Sequence, residues 1–295
     1  MKIQPECIPC LMKRVLYEIE ISTKDKELGS KALVSAMKTF TENYDPSICS
    51  AVLATKVHRA VYEALGNIDP YKELKERSNK VALSLLSKIE ERIRNARDPL
   101  KMAMLCSIIG NILDFGIEGG SGSPEKLAEV FDSYLSQGLG YDDYERAKAL
   151  ISTAKNICLI TDNCGEIVFD RVLCRELKRF NPKARLTLVV RGSPVLSDAT
   201  LEDAEKLNFR EVVDSILTTG TFAVGVDFVN IPKNLQSALD ESDIIICKGM
   251  ANYEALSEAN YKPVLYLLRT KCTAISRSMN LPLNISAIKL YECVK

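Results

Sequence analysis

The stretch CLITDNCGEIVFDR, residues 158–171, decides the fold. Its apolar beginning has the residue types of a buried β-strand, and after the Cys-Gly-Glu turn at 164–166 a helical pattern begins. Asp162 and Asn163 lie at the junction, where the strand ends and the helix is about to start. A strand that runs through a short turn into a helix is the opening of a βαβ unit, from which α/β folds are built.

The second half of the chain alternates short β-rich runs with helical segments. The runs are ICLIT at 157–161, LTLVV at 186–190, IIIC at 244–247 and VLYLL at 264–268, and a further strand is expected near VVDSIL at 212–217. This alternation predicts a parallel sheet covered by helices on both faces, because parallel strands need a crossover connection between them. We therefore expect a three-layer α/β fold for residues 151–295.

The first 150 residues have the pattern of successive helices. In CIPCLMKRVLYEIE, residues 7–20, Leu11, Val15 and Ile19 fall on one face of a helix. The segment LKMAMLCSIIGNILDFG, residues 100–116, is apolar almost all round and predicts a buried helix. We therefore expect two domains, an all-helical one at residues 1–150 and the α/β domain at residues 151–295.

Composition narrows the class of function. The chain has 295 residues, 46% of them hydrophobic, and its 39 Lys and Arg balance 39 Asp and Glu. That balance gives no hint of a basic surface for nucleic acid, and no apolar run reaches the roughly 18 residues of a membrane span. The N-terminus MKIQPECIPC lacks the apolar centre of a signal peptide. We expect a cytoplasmic protein without nucleic-acid or membrane partners, and its oligomeric state is left open.

Cysteine and histidine usage bears on the chemistry. Of ten cysteines, only Cys7 and Cys10 form a CxxC pair, and no second pair completes the four ligands of a structural zinc site. The role of this pair stays open between packing, partial metal binding and redox function. His58 is the only histidine and lies in a helical segment. A Ser-His-Asp or Cys-His enzyme would depend on that one residue and is therefore disfavoured.

Polar side chains follow the apolar runs where each predicted strand ends. In a parallel sheet the carboxyl ends of the strands meet at one edge, and ligands bind in the crevice there. Helix N-termini point into the same crevice and favour anions. The residues concerned are Asp162 and Asn163 after the first run, Arg191 and Asp198 after the second, Lys248 and Asn252 after IIIC, and Arg269 and Lys271 after the last.

These residue types point to a metal and a phosphate. Asp162, Asn163 and Asp198 offer hard oxygen ligands, which suit Mg²⁺, Mn²⁺ or a similar divalent ion that keeps several waters. The lysines and arginine at the neighbouring strand ends add the positive charge that a transferring phosphoryl group requires. The sequence therefore favours a metal-assisted phosphate site.

A purely local interpretation accounts for some of the same residues. Asn163 precedes Glu166 by three positions and Thr200 precedes Asp203 by three, which is the spacing of helix capping boxes. Ser197 or Asp198 could equally cap a helix, and strand-end lysines are often only solvated charges.

Several familiar motifs are absent from the sequence. The turn DNCGEI is not the Gly-rich GxGxxG turn of dinucleotide and S-adenosylmethionine folds, and no GxxxxGK[ST] phosphate loop occurs. The first strand is not followed by Asp-x-Asp, the pattern of enzymes that form an aspartyl-phosphate. A covalent aspartyl intermediate is therefore disfavoured.

Six stretches, in this order, make the chain resemble the damage-control phosphatase family, formerly a domain of unknown function. The resemblance is to the branch that carries an N-terminal CxxC. The stretches are CIPC at 7–10, GNILDFG at 110–116, TDNCGEIVFD at 161–170, SDATLEDA at 197–204, KGMANYE at 248–254 and RTKC at 269–272. They span nearly the whole chain, and six ordered matches are more specific than any single one.

The resemblance implies a helical domain packed on a Rossmann-like α/β domain. It places the metal ligands on Asp162, Asn163 and Asp198 and the phosphate-side lysine on Lys271. It implies that Asn111 and Asp114 reach the cleft from the helical half, the alternative being a helix-end cap beside Gly116. Met250 departs from the family, where a polar residue such as Gln is expected, and this puts a substrate contact at 250 in doubt.

The expected activity is metal-dependent hydrolysis of small phosphorylated metabolites, such as sugar phosphates or damaged cofactor intermediates. The divalent ion (Mg, Mn, Co or Ni) would activate a water, and Asp162 or Glu166 would accept its proton. Lys271, with Lys248 as a second candidate, would stabilise the phosphoryl oxygens. The other substrate-binding candidates are Asn111, Asp114, Arg191, Asn252 and Arg269.

Two rival functions belong to other classes. One is an S-adenosylmethionine-dependent carboxyl methyltransferase, an activity also proposed within this family, against which the missing Gly-rich turn argues. The other is a non-catalytic adaptor that uses its helical half as a docking surface. For such an adaptor, divalent metal should neither bind tightly nor stabilise the fold.

Overall fold

The computed structural model describes residues 1–66, 69–112 and 123–292. The candidate residue Asp114 lies outside these ranges. Within them the chain forms twelve α-helices, one short 3₁₀ helix and a single seven-stranded sheet. No helix in the described ranges is both long and apolar enough to cross a membrane.

The sheet has the strand order β1-β7-β6-β5-β2-β3-β4. Strands β2 to β6 run parallel to their neighbours, as the sequence predicts, whereas β7 is antiparallel to β6 and parallel to β1. The strands are β1 (Tyr141–Asp142), β2 (Asn156–Ile160), β3 (Arg185–Val190), β4 (Ser215–Thr218), β5 (Ile244–Lys248), β6 (Val264–Arg269) and β7 (Ser286–Tyr291). The sequence predicts β2 to β6 and misses both strands of the mixed edge.

Both faces of the sheet are buried, which makes three layers. Along β2, Ile157 and Leu159 join one apolar cluster while Cys158 and Ile160 join another on the opposite face. This is the period of two that a strand imposes on its side chains. The continuous apolar runs of the sequence are explained by this burial on both sides. The α/β prediction is confirmed.

Six helices lie in the first 140 residues and six after them. They are α1 (Cys7–Ser22), α2 (Lys26–Asn43), α3 (Ser50–Ala64), α4 (Lys72–Arg94), α5 (Pro99–Gly110), α6 (Lys126–Gln137), α7 (Tyr144–Thr153), α8 (Glu166–Phe180), α9 (Leu201–Lys206), α10 (Lys233–Asp240), α11 (Gly249–Leu256) and α12 (Thr273–Met279). The division of the chain into two domains at residue 150 stays a prediction. Strand β1, which precedes that position, belongs to the common sheet.

Helix α5 is the buried helix that the sequence predicts, and it joins the two halves. The N-terminus of α5 is well defined, because the Asp98 side chain accepts a hydrogen bond from the Lys101 N–H and Pro99 occupies the first turn. At its other end Gly110 lies directly on helix α8, where a Cβ atom would come within 2.9 Å of the Phe169 ring and 3.0 Å of the Glu166 Cα. This close approach brings Asn111 to the carboxyl edge of the sheet.

A buried ion cluster fastens β5, α5 and α8 together. Lys248 is fully buried, pairs with Glu166, lies 3.0 Å from Asp170 and donates to the Ser107 carbonyl at 3.1 Å. The Ser107 hydroxyl donates to Asp170 Oδ1 at 2.6 Å. A buried ammonium is tolerated only when its three N–H groups are paired in this way.

Asp170 is the residue of this cluster whose pKa is raised by its surroundings. Burial and the neighbouring Glu166 raise the pKa of Asp170 from 3.8 to about 6, although Lys248 and the Ser107 hydroxyl oppose the shift. The folded state therefore holds the Asp170 proton more tightly than the unfolded chain does. The contribution of this group to the unfolding free energy is undiminished below about pH 4 and is lost as the pH rises through about 6.

We predict that Asp170→Asn flattens the pH dependence of stability. Because its pKa rises from 3.8 to about 6 on folding, this one carboxyl should lower the unfolding free energy of the wild type by on the order of 1 kcal/mol between pH 5 and pH 8. Urea denaturation at the two pH values measures the change. The exposed carboxylate Asp132, changed to Asn, is the control and should follow the wild type. Identical pH dependence in wild type and Asp170→Asn would contradict the assignment.

Candidate active site

The ends of β2 and β3 bring Asp162, Asn163 and Asp198 together. Asn163 and Asp198 face each other in an isolated antiparallel bridge, and the Ala199 N–H donates to the Asp162 carbonyl at 2.8 Å. The three side chains are buried, with 4–5% of each residue exposed. The sequence prediction that these residues share one crevice is therefore matched by their geometry.

Arg191, the first residue after β3, lies between the two carboxylates. Its Nε donates to Asp198 Oδ2 at 2.5 Å, and its Nη2 lies 3.6 Å from Asp162 Oδ1. The residue is 1% exposed. Neither Nη1 nor Nη2 makes a hydrogen bond to any residue that the structure describes. Buried guanidinium N–H groups without acceptors are rare, and their natural acceptors are carboxylate or phosphate oxygens.

Asn163 is held by its side chain and does not cap a helix. Its Nδ2 donates to Asp162 Oδ2 at 2.8 Å, and its Oδ1 accepts from the Ser197 hydroxyl at 2.6 Å. Helix α8 has Gly165 as its N-cap, without a side-chain cap. Only half of the capping box predicted at Asn163 is formed, since its N–H donates to Glu166 Oε2 at 3.3 Å while its side chain caps no helix N–H. The box formed by Thr200 and Asp203 at the start of α9 is confirmed.

Asn111 brings the helical half into the site. It is the C-cap residue of α5, yet its Nδ2 donates to Asp162 Oδ2 at 3.0 Å and to Glu166 Oε2 at 2.8 Å. The Lys271 ammonium donates to the Asn111 backbone carbonyl. Lys271, which follows β6 and is 7% exposed, is thereby placed beside a residue that contacts Asp162.

The remaining candidates have other contacts. Lys248 and Glu166 pair with each other in the buried ion cluster. Asn252 donates to the backbone carbonyls of Thr161 and Lys248 at 2.9 and 2.7 Å. The guanidinium of Arg269 lies over the ring of Tyr134, 4.4 Å from its centroid, and burial lowers the pKa of Arg269. The structure does not bring the charged ends of Lys248 and Arg269 to the two aspartates.

Gly249 gives the Asp162 carboxylate its space. Its φ is +73°, a left-handed conformation that glycine adopts without penalty. A Cβ atom at this position would lie 1.8 Å from Asp162 Oδ2. The glycine at the start of α11 is therefore required for the aspartate to occupy its place at the edge of the sheet.

Two residues of the helical half hold the site loops and were not predicted. Asn79 of α4 accepts the Gly165 N–H at 2.6 Å, and the Tyr62 hydroxyl of α3 accepts the Leu196 N–H at 3.0 Å. Leu196 has a φ of +49°, which a leucine adopts only when its surroundings impose it. Both residues lie in ordinary helical patterns, so no local signal in the sequence marks them.

The donor set fits a hard divalent cation. Two carboxylates and the Asn163 amide would offer the oxygen ligands that Mg²⁺ and Mn²⁺ prefer. Asn111 adds a buried amide oxygen that accepts no hydrogen bond from the described ranges. In those ranges no three histidine, cysteine or acidic side chains group as a metal site. A metal ion here would therefore need an amide oxygen among its ligands.

Comparisons with known proteins place this chain in a family. The damage-control phosphatase ARMT1-like domain matches residues 3–284. A damage-control phosphatase of Archaeoglobus fulgidus is 40% identical over 292 residues, 99% of this chain and 100% of that protein. Another, from Pyrococcus horikoshii, is 30% identical over 282 residues, 96% of each chain.

A solved structure agrees with the sequence comparisons. The crystal structure of a DUF89 family protein from Pyrococcus horikoshii superposes with a TM-score of 0.88 and 29% identity, over 98% of this chain and 99% of that one. The family resemblance expected from the sequence is confirmed, while assignment to the branch with an N-terminal CxxC stays a prediction. The relatives favour a phosphatase over a methyltransferase. The chain belongs to the damage-control phosphatase family, with an ARMT1-like domain spanning nearly its whole length.

Proposed function

We propose that the protein is a metal-dependent phosphatase that hydrolyses phosphate monoesters of small metabolites. The observation that carries the proposal is the buried guanidinium of Arg191 between Asp162 and Asp198. Sugar phosphates and damaged phosphorylated intermediates are the substrate class that the family suggests. The proposed substrate is a small molecule, and we propose no nucleic-acid partner.

The charges support a cation at Asp162, Asn163 and Asp198. Two buried carboxylates lie beside an amide side chain at the edge of the sheet, and such oxygen ligands suit a hard divalent cation. These three side chains would hold a divalent ion, with Mg²⁺, Mn²⁺, Co²⁺ and Ni²⁺ as candidates. Such an ion would supply Lewis-acid chemistry, which polarises a phosphoryl oxygen and makes water a better nucleophile.

Arg191 and Lys271 are the groups that we assign to the substrate phosphate. The two Nη groups of Arg191 have no hydrogen-bond acceptor among the described residues, and a guanidinium binds two phosphate oxygens at once. Lys271 lies beside Asn111 and acts as a flexible point charge. Together they would stabilise negative charge on the phosphoryl oxygens, which is the main demand of phosphoryl transfer.

Asp162 is the better of the two candidates for accepting the proton of the attacking water. Glu166 is fully buried, pairs with Lys248 and accepts from the Asn111 amide. Its charge is therefore already used inside the protein, and its role is to orient Asn111. Asp162 Oδ1 lies 3.6 Å from the guanidinium of Arg191, to which we assign the substrate phosphate.

We predict that Asp162→Ala and Asp198→Ala each abolish divalent binding and turnover while the fold survives. Removal of one carboxylate leaves too few hard ligands for the cation. Calorimetric titration with Mn²⁺, hydrolysis of an aryl phosphate and circular dichroism measure the three properties. Asp132→Ala, which removes an exposed carboxylate, is the matched control. Hydrolysis at the wild-type rate by both site variants would show the assignment to be wrong.

We predict that Lys271→Met keeps divalent affinity near that of the wild type and loses turnover by about 10²-fold or more, the scale seen when an electrostatic donor is removed. Lys271→Arg should recover little, because the guanidinium is larger and its fork geometry differs. Steady-state kinetics beside a metal titration measure both effects. Lys155→Met, at the opposite end of β2, is the control. If Lys271→Met is kinetically silent, Lys271 is only a strand-end charge.

A further inference from the structure

The cysteines of the described chain fall into two groups. Five of the nine are fully buried in the core. The other four are partly or fully accessible, and they gather in one region, which we call the thiol cluster. Its members are Cys7, Cys10, Cys49 and Cys272. The CxxC pair, which the phosphatase site does not use, is therefore joined in space by two cysteines far away in the chain.

The cysteines of the thiol cluster lie at the N-terminal ends of three helices. Cys7 is the first residue of α1, while Cys49 and Cys272 are the N-cap residues of α3 and α12. Cys7, Cys49 and Cys272 pack against the same apolar cluster. An ion pair of 2.8 Å between Glu6 and Arg277 ties the beginning of α1 to α12.

The first two residues of the chain also contact the thiol cluster. Lys2 pairs with Cys49 in an isolated antiparallel bridge, and the Ser50 N–H donates to the Met1 carbonyl at 2.9 Å. The Cys49 thiol donates to the Glu254 carbonyl at 3.4 Å. The positions of the CxxC pair and of the other two thiols are therefore fixed by contacts among four chain segments.

The thiols influence one another electrostatically. Burial raises the pKa of Cys272 to about 11, and Glu254, Cys7 and Cys10 add to the shift. Burial also raises the pKa of Cys7, and Glu254 and Cys10 again contribute. Burial outweighs the backbone hydrogen bonds that lower the pKa of Cys7 and of Cys272, so the thiol form of these two residues is favoured.

The geometry favours a bond between two thiols over a shared ion. Across the described ranges, no three side chains of the metal-binding types stand close enough to hold one metal. Cys7 and Cys10 are three residues apart in the first turn of α1. Residues at that spacing in a helix have Cα atoms about 5 Å apart, within the range of roughly 4.4–6.8 Å that a disulfide spans.

We propose that Cys7 and Cys10 are an oxidisable dithiol that forms an intrachain disulfide with a low-molecular-weight disulfide, RSSR, as the oxidant. The exposed Cys10 sulfur attacks RSSR, its S–H proton leaves to solvent, and one RS⁻ is expelled and takes up a proton. The Cys7 sulfur then attacks the mixed disulfide and displaces the second RS⁻. In total, two thiols and RSSR give one protein disulfide and two RSH.

The disulfide should resist reduction once formed. A dithiol is a strong oxidant in its disulfide form only when its thiolates are stabilised, because that lowers the free energy of the reduced state. The surroundings of Cys7 do the opposite, since burial and Glu254 disfavour the thiolate. The raised pKa of the Cys7 thiol therefore favours the disulfide form of the pair.

The test equilibrates the full-length protein, first reduced, with a series of glutathione mixtures without oxygen. The samples are quenched with acid and alkylated, and their peptides are mapped by mass spectrometry. The Cys7–Cys10 disulfide should rise from about 10% to about 90% of the protein over a roughly hundredfold change in the ratio of [GSH]² to [GSSG], as a two-electron couple requires.

Three variants sharpen the test. Cys49→Ser, which alters the thiol cluster outside the CxxC pair, should oxidise as the wild type does. Cys10→Ser should form no intrachain disulfide. Cys7→Ser combined with Cys10→Ser should keep most of the phosphatase turnover, since neither residue touches the candidate active site. The proposal is overturned if both thiols remain free at the most oxidising ratio, if either bonds to Cys272 or Cys49 instead, or if purified protein holds a metal ion through these thiols.

Discussion

The contact of Arg191 with Asp162 and Asp198 is the constraint on which the rest of the site depends. The three residues are almost entirely buried, and charges out of water must be compensated by one another. Strands β2 and β3 are parallel neighbours, so the residues that follow them meet at one edge. The sheet determines where these charged residues lie. The ion pairs between Arg191 and the two aspartates in turn hold the loops that follow β2 and β3.

The helical half completes the site from above the sheet edge. Asn111 at the end of α5 links Asp162 to Glu166, while Asn79 and Tyr62 hold the loops that contain Gly165 and Leu196. Gly110 permits this arrangement, since a larger residue would push α5 away from α8. A substitution that disturbs the packing of these helices would therefore also displace the two aspartates.

The sequence predicts those features that local patterns encode. The apolar runs identify strands β2 to β6, and the polar residues at their ends identify Asp162, Asn163 and Asp198, because strand direction alone brings them to one edge. Strand β7 is missed because it joins the sheet antiparallel after α12, outside the βαβ rhythm. Asp114 lies outside the described residues, so its expected role stays a prediction.

Contacts between distant segments could not be predicted in the same way. Lys248 has the strand-end position of a phosphate-binding residue, yet its partners Glu166 and Asp170 lie on helix α8, and the three side chains are buried together. Arg269 likewise packs on Tyr134 of α6. The position of Cys49 and Cys272 near the CxxC pair also depends on tertiary structure alone. Spacing along the chain shows which charges end a strand but not what each charge meets.

Anomalous diffraction from crystals grown with Mn²⁺ tests the central claim most directly. The account predicts one strong peak per chain within bonding distance of oxygens from Asp162, Asn163 and Asp198, adjacent to the guanidinium of Arg191. A crystal in which these three side chains contact no metal while a Mn²⁺ peak lies elsewhere, or in which no peak occurs at saturating Mn²⁺, would contradict it.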